Sequence, residues 1–137
     1  MVMIGEKETG IIIKTLTDRL NARLIYVFGS AARGEMTEES DMDIAFLSDG
    51  SPDQYEVFVV AQEMAGMLNR EVDLVNLDRA STVLQAQVVS TGKVIYCKRR
   101  EKRLIFEMNV LKEYARLNEA RRPVIEKVME RGSVYGK

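Results

Sequence analysis

Apolar positions along the chain switch between two periods, and each stretch points to an element. Ile12, Ile13, Leu16 and Leu20 recur at helical spacing and predict a first helix over Ile11–Leu20. Arg23–Phe28 (RLIYVF) is a short β-branched and aromatic run stopped by Gly29, which reads as a strand. The polar segment Ser30–Ser40 reads as a loop or a short helix. Asp43–Leu47 (DIAFL) reads as a second strand, closed by the turn-forming Ser48-Asp49-Gly50-Ser51-Pro52. Val57, Val60, Ala61, Met64 and Leu68 then trace one helical face between Asp53 and Asn69, with Asp53 as its N-cap. Glu71–Leu77 alternates as a third strand, Ser81 opens a helix that Gly92 ends, and Val94–Cys97 is extended.

Beyond Lys98 the texture changes. Arg99–Arg131 is strongly charged and carries a sparse apolar stripe of Leu104, Met108, Leu111 and Ala115, fading through Asn118 and Arg122. It reads as one long helix with Pro123 as the point where it could break. At about 1.5 Å per residue, such a helix matches the width of the rest of the domain. It could overhang the core and offer its stripe to another chain, although packing within the chain is the simpler expectation for that stripe. The expected division is therefore a domain over 1–97 and a helical extension over 98–137. The expected class is α/β: a small mixed sheet with helices packed behind it.

The 137 residues suit one compact domain, and a 46% hydrophobic share is enough to build its core. With 20 basic and 21 acidic residues the net charge is −1, so no global field draws the chain to nucleic acid or membrane. Neither partner is expected. No apolar run approaches the roughly 20 residues of a bilayer span. The lone Cys97 cannot form an internal disulfide and suits a reducing, cytoplasmic setting. Histidine is absent, which excludes His-ligated zinc, a Ser-His-Asp triad and imidazole acid–base chemistry.

One stretch carries chemistry: Gly29-Ser30-Ala31-Ala32-Arg33-Gly34, followed by Ser40-Asp41-Met42-Asp43. The Gly-Ser pair leaves the first strand and the Asp-x-Asp pair enters the second. Two residues apart on an extended chain, Asp41 and Asp43 point to one face, where their repulsion favours a hard divalent cation such as magnesium. Gly29 lets the backbone approach a phosphate closely, and Ser30 can offer a hydroxyl and a backbone N–H. Arg33 could add charge-assisted hydrogen bonds to the same group. Asp73, in the third strand, is the natural third carboxylate. Alternation places it among core residues, where an unpaired acid is expensive to bury.

These residues resemble the DNA polymerase beta-like nucleotidyltransferase superfamily, and among its members the minimal nucleotidyltransferase (MNT) antitoxins paired with HEPN toxins. The pattern is a Gly-Ser, a ten-residue spacer and an Asp-x-Asp, here Gly29-Ser30, Ala31–Ser40 and Asp41-Met42-Asp43. Arg33-Gly34, Ser40 and Val72-Asp73-Leu74 also fit, and the likeness spans roughly Ile11–Cys97. The resemblance implies that Gly29 and Ser30 grip a nucleoside triphosphate and that Asp41 and Asp43 hold magnesium. Asp73 then completes the carboxylate set and helps activate the attacking hydroxyl. It further implies transfer of AMP from ATP to a tyrosine of a HEPN RNase toxin, with the antitoxin in a hetero-oligomer with that toxin.

Simpler explanations stand beside several of these residues. Ser30 could cap a helix, Arg33 could be a surface residue, and Glu35, Glu38 and Glu39 read as solvated loop acids. Asp49 and Asp53 read as turn and cap residues. The basic run Lys98–Arg103 reads as a solvated helix start, with docking on an acidic surface or on RNA as the functional alternative. Tyr114 and Tyr135 are given no role. Two rivals remain: an antitoxin that acts by stoichiometric contact through its long helix, and a small-molecule (aminoglycoside-type) nucleotidyltransferase. The second is less expected, because no sizeable further domain supplies an acceptor pocket.

Overall fold

The structure, a computed structural model, describes residues 4–37 and 39–130, with side chains described as far as Glu119. Five helices and four strands follow in the order α1 (Glu6–Leu20), β1 (Ala22–Phe28), α2 (Ser30–Arg33), β2 (Met42–Ser48), α3 (Gln54–Leu68), β3 (Val72–Asn76), α4 (Thr82–Thr91), β4 (Lys93–Cys97) and α5 (Arg100–Glu130), with a 3-10 turn at Leu77–Arg79 after β3. Every expected helix and strand is present. α1 starts earlier than the apolar pattern indicates, at Glu6, where Glu8 accepts a hydrogen bond from the Gly5 N–H at 3.3 Å. That first turn has no apolar face, so periodicity could not find it.

The sheet order is β3-β2-β1-β4. β1 runs antiparallel to both β2 and β4, while β2 and β3 are parallel. β1 and β2 are central and almost wholly buried, which is why their sequences read as continuous apolar runs rather than strict alternation. α1 and α3 cover one face, packing Ile12, Leu16, Val60 and Met64 against Ile25, Val27, Ile44 and Phe46. On the other face Leu24, Tyr26, Ala45 and Leu47 meet Val88 and Leu84 of α4 and Phe106 of α5. Asn21 and Asn69 end α1 and α3 in left-handed conformations, so each helix turns back sharply toward the next strand. Asp53 caps α3 as expected, accepting from the Glu56 N–H at 2.8 Å.

α5 spans 31 residues, about 46 Å at the usual rise, and its backbone continues through Pro123 without the break considered above. Its packing face also differs from expectation. Val110 is buried and Arg103, Phe106 and Glu107 are half-buried, whereas Leu104, Met108 and Leu111 are 49%, 64% and 46% exposed. The sparse apolar stripe therefore faces outward. The inward face is held partly by polar groups: the buried Tyr26 hydroxyl donates to Glu107 Oε2 at 2.5 Å, and Arg103 Nε reaches the same oxygen at 3.1 Å. Apolar pattern alone could not choose between the two faces. Tyr135 lies outside the described residues; Tyr114 is half-buried on α5.

Candidate active site

The end of β1 and the starts of β2 and β3 converge at one end of the sheet. Phe28, the last residue of β1, stands opposite Asp43, and Asp43 stands beside Asp73 on the parallel strand. Registered residues on neighbouring strands project to the same face, so the two carboxylates are side by side. Their face is the one that carries α4 and α5, because Ala45 and Leu47 share the parity of Asp43. Asp41 lies one residue before β2 and is exposed, tethered by Met42, which is fully buried.

The carboxyl of Asp43 feels its surroundings. It is held above the ordinary range by burial first, then by the charge of Asp73 and that of Asp41, with Arg33 opposing. Asp73 and Asp41 thus both lie near enough to Asp43 to disfavour its ionised form. One expectation is corrected: Asp73 is exposed, not enclosed among core residues. β3 is the outer strand of the sheet, and its first residues lie at the open end, so alternation there separates a half-covered side from solvent.

Gly29 is fixed by this geometry. Its φ is +64°, and a Cβ at this position would lie 2.2 Å from Asp43 Oδ2. Only glycine allows both the turn and the approach of the carboxylate. Ser30 is the first residue of α2 rather than its cap; Gly29 occupies the cap position, with no side-chain cap hydrogen bond. Capping therefore does not occupy the Ser30 hydroxyl. Arg33 is exposed and pairs with Glu35 at 3.1 Å, the kind of contact that restrains little, about 0.2–1 kcal/mol. Glu35 and Glu39 are exposed as expected, and Glu38 lies outside the described residues.

Two positioning features were not anticipated. Arg70 Nη1 donates to the Thr37 and Ser40 carbonyls at 3.1 and 3.0 Å, clamping the loop that delivers Asp41. Ser40 Oγ accepts from the Thr37 N–H at 2.8 Å and tightens the same loop. An arginine between a helix and a strand has no sequence signal separating it from a surface residue. The second feature is a groove of about 490 Å³ along the outer edge of β3, between α3 and the segment leading into α4. Asp73 contributes to its wall, whereas Gly29, Ser30, Asp41 and Asp43 do not.

At the far end of β2, Asp49 is more than a turn residue. Arg99 and Lys98 bind it at 2.9 and 3.2 Å and Arg23 stands 3.6 Å away. Hydrogen bonding from Arg99, ahead of that from Lys98 and the charges of both, holds its carboxyl down at about 2. Part of the basic run at 98–103 is therefore consumed in fastening α5 to the sheet.

The oxygen-only donor set at Asp41, Asp43 and Asp73, with its raised Asp43, suits a hard divalent cation. Among the described residues no three acids, Asp41, Asp43 and Asp73 included, stand close enough together to form a ready-made metal cage. Magnesium does not require such a cage, since it keeps waters and substrate phosphates in its shell. The arrangement thus fits an ion shared with a bound phosphate chain. Among the described residues, no helix is long and apolar enough to cross a membrane.

Known proteins resemble this chain over most of its length. The family described as Polymerase beta, Nucleotidyltransferase matches residues 11–101. The protein adenylyltransferase MntA of Shewanella oneidensis is 39% identical over 119 residues, covering 86% of this chain and 85% of that protein. A crystal structure of a toxin–antitoxin with AMP-PNP matches with 37% identity and a TM-score of 0.81, over 88% of this chain and 98% of that one. A structure of tri-AMPylated Shewanella oneidensis HEPN toxin in complex with MNT antitoxin matches with 34% identity and a TM-score of 0.77, over 90% and 98%.

Proposed function

The chain belongs to the polymerase beta nucleotidyltransferase family, and from that premise we propose that it is a magnesium-dependent protein adenylyltransferase. In this reading it is an antitoxin that transfers AMP from ATP to a tyrosine hydroxyl of a HEPN toxin. The observation that carries the reading is the side-by-side registration of Asp43 and Asp73 next to Gly29. The MntA relative and the AMPylated toxin complex supply the acceptor class. Small-molecule transfer has no comparable support.

Each residue then has a role. Gly29 and Ser30 hold the triphosphate, Ser30 through its uncommitted hydroxyl and its backbone N–H. Arg33, released from Glu35, adds charge to the same phosphates. Asp41, Asp43 and Asp73 would hold magnesium, which when bound neutralises charge on the reacting phosphates and on the leaving group. Asp73 also orients the acceptor hydroxyl and accepts its proton on a carboxylate oxygen. A bond forms between the tyrosine oxygen and the α-phosphorus, the bond from that phosphorus to the bridging oxygen breaks, and pyrophosphate leaves. Arg70 serves this chemistry at a distance by holding the Thr37–Ser40 loop.

The same reading divides the chain into a nucleotidyltransferase domain over 1–97 and an extension over 98–137 that packs on the same domain and could also dock on the partner, in the cytoplasm. A second mode of inhibition has its own support: Leu104, Ile105, Met108 and Leu111 form an exposed apolar stripe on α5 that a toxin surface could cover. Incubation with ATP, magnesium and the toxin, followed by mass spectrometry of the toxin, tests the enzymatic mode; an AMP adduct on tyrosine is expected, and its absence from active-looking protein contradicts it. If the folded Asp41→Ala/Asp43→Ala variant still neutralises the toxin fully at equal dose, stoichiometric binding is sufficient and the enzymatic account of inhibition fails.

A further inference from the structure

Transfer by in-line displacement has a direction across the sheet. Gly29 leaves β1, Asp43 lies on β2 and Asp73 on β3, so the candidate residues step outward from the centre of the sheet to its edge. If the leaving pyrophosphate sits at Gly29-Ser30, the attacking hydroxyl must arrive from the opposite side. That is the β3 side, where the groove begins at Asp73.

The groove has the character of a peptide channel. All five residues of β3, from Val72 to Asn76, line it, so both parities of the strand contribute and its floor is the strand edge itself. Val57 and Phe58 of α3 form one wall and Leu84 of α4 part of the other, with Arg79 at its rim. Phe58 is 59% exposed although it stands beside this apolar surface. β3 also lacks the usual protection of an outer strand: it contains neither lysine nor proline, and its register with β2 is unbroken. β4, the other outer strand, begins with Lys93 and pairs with β1 through a register shift. An uninterrupted edge floored by backbone and walled by apolar side chains suits an extended segment, which gains main-chain hydrogen bonds from the edge and specificity from alternate side-chain pockets.

We propose that this groove binds an extended segment of the acceptor protein as a fifth strand beside β3, presenting its hydroxyl to Asp73 and packing a neighbouring apolar side chain against Phe58. The inference rests on the adenylyl-transfer reading above and adds the subsite that selects the acceptor. Its distinguishing feature is that acceptor recognition resides on α3, β3 and the start of α4, separate from both the nucleotide grip and the α5 stripe.

The test uses the full chain, magnesium and its HEPN toxin as acceptor. Phe58→Glu and Phe58→Ala alter a largely exposed side chain outside the nucleotide grip. Both are expected to raise KM for the toxin about tenfold or more while leaving the affinity for AMP-PNP with magnesium at the wild-type value. In the unsubstituted protein, the β3 amides are expected to gain protection from hydrogen exchange when toxin is added to the AMP-PNP complex. An unchanged KM in both variants overturns the proposal. Protection confined to α5 also overturns it, as does protection of Leu74–Asn76, beyond the Asp73 that the nucleotide's magnesium would touch, by AMP-PNP alone (the groove then holds the nucleotide) or by raising the concentration of the chain alone (a second copy then occupies it). If the unsubstituted chain binds AMP-PNP but transfers nothing to the toxin, the adenylyl-transfer reading itself fails, a result distinguishable from normal transfer with an unchanged KM.

Discussion

β2 carries one carboxylate near its start and another just past its end, and the two live in opposite fields. Asp49 is surrounded by Arg23, Lys98 and Arg99 and is held at about 2. Asp43 is half-buried beside two further acids and is pushed upward, with Arg33 as the opposing cation. The first arrangement stabilises its own ionised form and fastens the start of α5. The second works against its own ionised form and against the apo fold. Acids that the fold leaves in mutual repulsion mark a place where a cation or ligand completes the balance, which is why the Asp43 end is the candidate site and the Asp49 end is scaffold.

Replacing Asp43 breaks the comparison most severely. Asp43→Asn is expected to reduce AMP transfer about a thousandfold or more. The apo melting temperature at neutral pH should nevertheless rise, because a carboxyl whose folded pKa is raised opposes folding once it ionises. Transfer assays and thermal denaturation on one preparation check both signs. Gly29→Ala comes next, since the added Cβ collides with Asp43 and the +64° φ is retained at a penalty of about 1–3 kcal/mol. Transfer should fall about a hundredfold, and stability should fall as well, so Asp43→Asn and Gly29→Ala move melting temperature in opposite directions.

The smallest effect is expected at the other end. Asp49→Asn removes a lowered carboxyl, so the stabilisation lost is the part present above the unfolded pKa of about 4 and withdrawn as pH falls toward about 2. Acid unfolding of the variant should therefore be flatter across that window, and AMP transfer at neutral pH should match the unsubstituted chain. A variant that lost transfer instead would make Asp49 part of the site and erase the distinction between the two ends.

How much of this was legible in the sequence follows the same physical lines. Short-range regularities were visible: the apolar periods of α3, the Asp53 cap, the glycine stop after Phe28 and the paired spacing of Asp41 and Asp43 each leave a local signature. Long-range geometry was visible only in outline: Asp73 could be named as a third acid from its strand and from the resemblance, but its registration with Asp43, which joins residues 30 positions apart, left no local mark. Alternation misjudged the burial of Asp73 because the strand's place at the sheet edge is not encoded in its own pattern. The outward stripe of α5 was misassigned for a related reason. Its inward face is secured by Tyr26, Glu107 and Arg103, polar partners that a hydrophobic periodicity ignores. Arg70 and the β3 groove depend on tertiary contacts and had no local signal.

The central claim is that the acids around Asp43 are completed by a divalent cation and a nucleotide together. Calorimetric titration of AMP-PNP into the apo protein, with and without magnesium, and into Asp43→Asn, measures this directly. Saturable binding that requires both magnesium and the Asp43 carboxylate is the predicted result. Equal affinity without magnesium, or undiminished affinity in Asp43→Asn, would contradict it.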